Sequence, residues 1–247
     1  MSFQPTVSGP SRHQIWKMFD RIAPAYDRAN RLLSMGTDRR WRAKLVALLP
    51  DTPGLKLVDL ATGTGDVLLA AARERTGTLN IAVGADLSGG MLSVGREKIR
   101  AAGLSGKCFL TRGDALHLPF PDCWADAVTM AFGIRNTVDP PAALREMARI
   151  LRPGGRALIL EFSLPEHPLI RSGYLFYFRH MLPLLGGWIA GDTGAYRYLN
   201  RTVESFPQGE TFISLMAAAG FARMRHIKLT FGIASLYIGE KTEEQTA

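Results

Sequence analysis

Cysteine is scarce: Cys108 and Cys123 are the only two in 247 residues, and neither sits in a CxxC or Cys/His spacing. That argues against a disulfide framework and against a thiolate metal site, so no metal is expected. Both fall in stretches that read as sheet, where small buried hydrophobes are expected. Long apolar runs are also missing. The most apolar stretch, Tyr174 to Ala190, is broken by Arg179, His180, Pro183 and a glycine pair, and is too short to span a bilayer unaided. The first eleven residues have no basic start followed by an apolar core, so a cytoplasmic address is the expectation. Acid is in deficit, with 22 Asp and Glu against 30 Lys and Arg, a formal charge of +8. Such a surface suits nucleic acid, anionic lipid or acidic ligands. The basic residues are spread, however, with local density only at Arg39-Arg40-Trp41-Arg42. A diffuse field is therefore expected rather than a nucleic-acid groove, and no nucleic-acid partner.

What is present is a change of rhythm near residue 51. Ile15, Met18, Phe19 and Ile22 fall on one helical face, and Pro24 is expected to end that helix. A second helix is expected from Asp38 through Leu49, closed by Pro50 and Pro53. From Lys56 the chain alternates strand and helix: strands at 56–60, 81–86, 107–112, 125–130 and 156–162, helices at 66–75, 90–102 and 142–151. A helix over 209–219 and a final antiparallel strand pair, 221–229 and 233–239, follow. Such alternation predicts a mostly parallel, seven-stranded α/β sheet covered on both faces. The organisation read from this is a polar arm (1–11), an N-terminal helical cap (12–50), the α/β domain (51–242) and a polar tail (243–247). The segment 163–207 breaks the rhythm and is aromatic, which marks it as a substrate-binding insertion over the ligand end of the sheet.

The chemistry begins at Val58-Asp59-Leu60-Ala61-Thr62-Gly63-Thr64-Gly65-Asp66. A strand ends, glycines allow a tight turn, and a helix starts, so a nucleoside-type ligand can meet backbone N–H groups there. A dinucleotide fingerprint would need a third glycine where Leu68 stands. Asp59 and Asp66 would repel phosphates and welcome an amino group. S-adenosylmethionine, a sulfonium with an ammonium and no phosphate, therefore fits better than NAD. Asp86, at the end of the second strand, stands where an acid binds ribose hydroxyls, and Met91 one turn on can pack on adenine. Asp114 and Ala115 close the third strand within reach of the adenine amino group. Asp139-Pro140-Pro141 lacks the aromatic residue of base-amine methylating enzymes and reads as a helix cap with proline in the first turn. No nucleophile triad is evident.

Several further motifs resemble those of the bacterial quinone C-methyltransferases that act on demethylmenaquinol and on polyprenyl-methoxy-benzoquinol. They are Met18-Phe19-Asp20-Arg21-Ile22-Ala23 with Tyr26-Asp27, Leu33-Ser34-Met35-Gly36, Trp41-Arg42, Gly95-Arg96-Glu97-Lys98 and Leu118-Pro119-Phe120. Phe132-Gly133-Ile134-Arg135-Asn136, Tyr196-Arg197-Tyr198-Leu199 and Ser205-Phe206-Pro207 complete them. The resemblance implies a class I S-adenosylmethionine-dependent fold, Rossmann-like, and carbon methylation of a prenylated quinol next to a hydroxyl. It implies cofactor contacts at Thr64, Asp86, Asp114 and Ala115; together with the turn and strand ends, the expected cofactor residues are Asp59, Ala61, Gly63, Thr64, Gly65, Asp86, Leu87, Met91, Asp114, Ala115 and Ala131. Arg135 is the candidate phenolate stabiliser, with Asn136 to orient it, since carbon attack needs the neighbouring hydroxyl deprotonated. Tyr26, Tyr196, Arg197 and Tyr198 are candidates for the quinol site. The tail would lie along Leu175-Phe176-Tyr177-Phe178 and Met181-Leu182-Pro183-Leu184-Leu185, with peripheral contact to the inner membrane through Arg171, Arg179 and the Arg39 cluster. Two departures stand out: Thr62 where glycine is common, and Ala131 where serine is common. The oligomeric state is left open, a homodimer included.

Overall fold

Short apolar runs closed by polar or glycine turns set the architecture of the chain, seen in a computed structural model that describes residues 14–181, 184 and 193–242. In chain order the elements are α1 (Ile15–Leu33), α2 (Thr37–Ala47), β1 (Leu55–Leu60), α3 (Asp66–Glu74), β2 (Leu79–Asp86) and α4 (Gly89–Ala101). β3 (Cys108–Arg112), β4 (Ala125–Ala131), α5 (Pro140–Ile150), β5 (Leu151–Phe162) and α6 (Pro168–Phe176) follow. The last are α7 (Thr193–Ser205), α8 (Glu210–Ala218), β6 (Phe221–Leu229) and β7 (Ala234–Lys241). One seven-stranded sheet runs in the order β3-β2-β1-β4-β5-β7-β6. The first five strands in that order are parallel, and β7 is antiparallel to both of its neighbours. The seven-stranded, mostly parallel α/β expectation is met.

β1 and β4 lie at the centre, and their near-continuous apolar runs are buried on both faces, as parallel strands covered by helices require. One face packs Leu57, Ala82, Leu158 and Leu236 under Leu45 of α2 and Leu68 of α3. The other packs Val58, Met130 and Ile159 under Leu144 and Met147 of α5 and Phe212 of α8. A third cluster joins α1 to α4 and α7 through Met18, Ile22, Met91, Tyr198 and Val203. Asp139 caps α5 as expected, accepting from the Ala142 N–H at 2.9 Å, with Pro140 in the first turn.

Four expectations are corrected. α1 does not stop at Pro24 but runs through it to Leu33. Proline in a helix interior costs about 3 kcal/mol, yet Pro24 is exposed while Tyr26, Ala29 and Leu33 continue the buried face, and that burial outweighs the lost bond. β5 begins at Leu151, not Arg156. Pro153-Gly154-Gly155 loops out as a bulge, since Ala125 pairs with Leu151 and Ala127 already with Arg156. α5 accordingly ends one residue earlier, at Ile150. Cys108 is buried, but Cys123 is exposed, on a left-handed φ of 54° just before β4. At the far edge, β6 shifts register between Ala222 and Arg225 and turns Arg223, Arg225 and Lys228 outward.

Candidate active site

The glycine turn joins β1 to α3 with Ala61, Gly63 and Gly65 all at positive φ, which a glycine adopts freely and an alanine does not. Beyond it, outside the carboxyl ends of β1, β2 and β4, opens a cavity of about 170 Å³. Ala61, Gly63, Asp86, Leu87, Met91, Asp114, Ala115 and Ala131 all line it. Asp86 is fixed there by its backbone: Oδ2 accepts from the Gly63 N–H and Oδ1 from the Ser88 N–H, each at 2.8 Å. Burial raises its pKa, and these donors work against the rise. Among the described lining residues Asp86 and Asp114 carry the charged side chains, and none is a lysine, arginine or histidine. Pyrophosphate would meet two carboxylates and no cation, whereas a cationic ligand with free hydroxyls suits the wall. The Oδ1 of Asn136, on the same wall, is buried without a hydrogen-bond partner. An unpaired buried acceptor of this kind matches a ligand donor. By its donor set, the cavity fits S-adenosylmethionine.

Three of the expected cofactor residues act from behind this wall. Asp59 is buried beneath the turn, where Oδ2 accepts from the Thr62 hydroxyl and Oδ1 from the Thr129 hydroxyl, each at 2.6 Å. Burial pushes its carboxyl up to about 7, against the pull of those two hydroxyls. Thr64 donates to Asp27 of α1 at 2.7 Å and accepts from Lys98 at 3.0 Å, and Gly65 starts α3. Asp66 is bound to Lys98 at 2.5 Å, with Arg42 at 3.8 Å. Asp59 and Asp66, expected to greet an amino group, are not among the described residues that line the cavity, and each faces protein donors instead. Thr62 fits in place of glycine because residue 84 has no side chain: a Cβ there would lie 2.7 Å from its methyl and hydroxyl.

A second cavity, of about 210 Å³, lies alongside, and Phe19, Tyr26 and Phe132 line both. Its wall is mostly apolar and aromatic, with Trp41, Phe162, Tyr174 and Tyr198. Phe132 and Phe162 stand 4.5 Å apart, and Arg42 and Arg135 stack on them respectively, at 5.7 and 5.4 Å. Arg135, in the turn after β4, donates from Nη1 to Glu161 at 2.6 Å and to the Phe132 carbonyl at 2.7 Å. Its Nε and the Tyr174 hydroxyl are buried without partners. Burial raises the pKa of Glu161 while Arg135 opposes it. Burial also raises the Tyr26 phenol, and both Arg42 and Arg135 pull it back. The one carboxylate among the described lining residues, Asp38, is engaged by Arg42 and by the Ser34 hydroxyl.

Of the substrate candidates, Tyr26 and Tyr198 reach this cavity. Arg197 is corrected: it is exposed on the other face of α7 and lines neither cavity. Tyr196 lies on α7 with its side chain outside the described residues, as does much of the expected tail berth beyond Met181. Asn136 does not hold the Arg135 guanidinium directly. Both side chains donate to the Phe132 carbonyl, and Asn136 faces the first cavity. Sequence reasoning missed Glu161 and Tyr174. Glu161 could have been found, since it ends a parallel strand as Asp59 and Asp86 do.

Two S-adenosylmethionine-dependent methyltransferases of known structure share the fold. The one from Thermotoga maritima has a TM-score of 0.62 at 21% identity, covering 92% of this chain and 99% of that one. The one from Aquifex aeolicus has 0.57 at 17%, covering 81% and 88%. A ubiquinone/menaquinone biosynthesis C-methyltransferase from Geobacter sulfurreducens is 47% identical over 92% of this chain and 88% of its own length. A demethylmenaquinone methyltransferase from Thermus thermophilus is 48% identical over 91% of this chain and all of its own. The profile of the ubiE/COQ5 methyltransferase family matches residues 7–241, and the chain belongs to that family.

Proposed function

We propose that the chain transfers a methyl group from S-adenosylmethionine to a ring carbon of a prenylated quinol. The acceptor is demethylmenaquinol, the methoxy-polyprenyl-benzoquinol of ubiquinone synthesis, or both. The observation that carries this reading is the pair of cavities that share Phe19, Tyr26 and Phe132, one acidic and one apolar with two guanidiniums. The cofactor, when bound, supplies an electrophilic methyl on its sulfonium. Asp86 would hold the ribose hydroxyls on its remaining lone pairs, and Asp114 with the Ala115 backbone would hold the adenine edge. The quinol ring would lie against Phe132 and Phe162, beside the wall that the two cavities share. Much of the rate then comes from holding the partners in line.

Carbon attack needs a phenolate. The substrate cavity has one carboxylate, already occupied, and no histidine among its described lining residues. A cation that favours the ionised hydroxyl is therefore the chemistry these residues support, with the proton passing to water. Arg135 fills that role: an always-charged guanidinium, held by Glu161 and with its Nε free to donate. Among the described residues, α1, α2, α6 and α7 supply the helices around this cavity. The prenyl tail leaves through the apolar wall, and the protein meets the membrane peripherally. No helix among the described residues is long and apolar enough to cross a bilayer.

The test is transfer of label from methyl-labelled cofactor to demethylmenaquinol and to the benzoquinol precursor, with Arg135→Ala alongside. Label in at least one quinol, lost in the variant, supports the assignment. No label in either quinol overturns it.

A further inference from the structure

The mouth of the apolar cavity is marked by residues that both line it and are exposed, Met35 and Thr230. Each lies in a turn of left-handed backbone. Met35 has φ 51° and is 87% exposed, and in the second turn Thr230, Phe231 and Gly232 have φ of 46°, 57° and 89°. Phe231 is 78% exposed, and Leu32, beside the first turn, 61%. Left-handed backbone at methionine or phenylalanine is strained, and such strain persists where the surrounding structure holds it for a use. Here it holds two large apolar side chains out into water on either side of one opening. Helix α2, which follows the first turn, is tied to the second turn by the Trp41 indole N–H, which donates to the Thr230 hydroxyl at 2.9 Å.

The charge around the first turn is one-sided. Between residues 28 and 40, Arg28, Arg31, Arg39 and Arg40 are exposed, and the one acid, Asp38, is buried against Arg42. Apolar side chains proud of a cationic collar, around the opening of a cavity suited to a lipid-tailed substrate, match a bilayer whose headgroups are anionic.

We propose that the α1–α2 corner and the β6–β7 turn form a docking rim for an anionic lipid bilayer, which delivers the substrate straight into the cavity. This rests on the quinol reading above. It places the contact at Leu32, Met35, Phe231 and the arginine collar rather than along the apolar stretch after Tyr174. Leu32 and Phe231 enter the interface between headgroups and acyl chains, and the guanidiniums sit at phosphate level.

The experiment is flotation of the full chain with vesicles of phosphatidylcholine alone or mixed with phosphatidylglycerol, for the parent, Phe231→Gly and Arg39→Gln/Arg40→Gln. The parent is expected to float with the anionic vesicles and to be released by salt. Each basic residue near an anionic surface is worth about a fivefold change in partition, so the double arginine variant should bind roughly 25-fold more weakly. Phe231→Gly removes the ring and also relieves the backbone, so vesicle binding should fall while thermal stability holds or rises, a combination that unfolding cannot produce. Both variants should methylate a tail-less quinol like the parent. Equal retention on neutral and anionic vesicles, or variants that float like the parent, would overturn the rim. So would lipid-independent self-association that the substitutions abolish, which would make this face a contact between copies. Flotation is read without turnover, so a failed quinol assay and a failed rim are distinct results.

Discussion

Removing the charge of Glu161 tests whether the buried pair with Arg135 is scaffold, machinery or both. The two side chains are 6% and 1% exposed, so solvent does little to screen them. Glu161→Gln keeps the shape and an acceptor for the Phe162 N–H, which Glu161 now holds at 2.8 Å. It leaves the guanidinium charged, because arginine does not deprotonate in proteins. Stranding one charge of a buried pair costs about 3–5 kcal/mol. For a chain of this length that lowers the melting temperature by roughly 6–20 °C, at about 2–4 °C per kcal/mol. The double variant Arg135→Met/Glu161→Gln removes both charges and should regain most of that loss, since apolar replacement of buried pairs is often close to neutral. Activity should part company with stability. If Arg135 stabilises the phenolate, the double variant folds well yet loses on the order of 100- to 1,000-fold in kcat, the scale for one electrostatic donor. Calorimetry or denaturant titration with quinol turnover on the same samples reads both. A stable double variant with parental kcat would refute the catalytic role. A Glu161→Gln protein as stable as the parent would refute the charge coupling.

Three other outcomes follow from the site. Burial raises the Asp59 carboxyl from 3.8 to about 7, so between those values the folded chain holds a proton that the unfolded chain has released. Its contribution to stability is therefore greatest below about pH 4, falls as pH rises, and reaches its full penalty above 7. Asp59→Asn should flatten that decline, and an unchanged slope of denaturation free energy against pH over this window would refute it. Gly84→Ala brings a Cβ to 2.7 Å from Thr62 and 2.8 Å from Leu110. It should cost about 1–3 kcal/mol, with Thr62→Gly restoring part of it; no restoration in the double variant would refute the fit. Asp86→Ala removes acceptors worth about 1.5–3 kcal/mol each to a ligand hydroxyl. Calorimetric binding of S-adenosylmethionine should weaken at least tenfold, and undiminished affinity would move the ribose elsewhere.

Most of the sheet was legible because its parallel strands are short apolar runs, several with an acid at the ligand end, as Asp86 closes β2. The acids at strand ends pointed to one face of the sheet, but sequence could not say which of them faces the ligand. Asp59 pairs with Gly84, two residues before Asp86 on the neighbouring strand, so both sit near the same end of the sheet. Their difference comes from Thr62 and Thr129, brought to Asp59 by the turn and by β4. Likewise Pro24 reads locally as a stop, and only the packing of Tyr26, Ala29 and Leu33 reverses that. Arg197 follows from a motif that gives residue types but not the face of the helix. Glu161 stayed hidden because its meaning depends on Arg135, 26 residues away in the chain and 2.6 Å away in space.

The edge strand β6 has a consequence for how copies of this chain can meet. Its outer backbone would offer unpaired N–H and C=O groups to any extended neighbour. The register shift at Ala222–Arg225 bends that row, and charged side chains stand along it: Arg225 is exposed, Arg223 is bound to Glu240 and Lys228 to Glu166. Two such edges brought side by side would have to crowd these charged groups together across a ladder that no longer runs straight. Continuous β-pairing from copy to copy is disfavoured on this side, which protects the crowded chain from fibre-like growth and leaves helical faces as the surfaces for assembly.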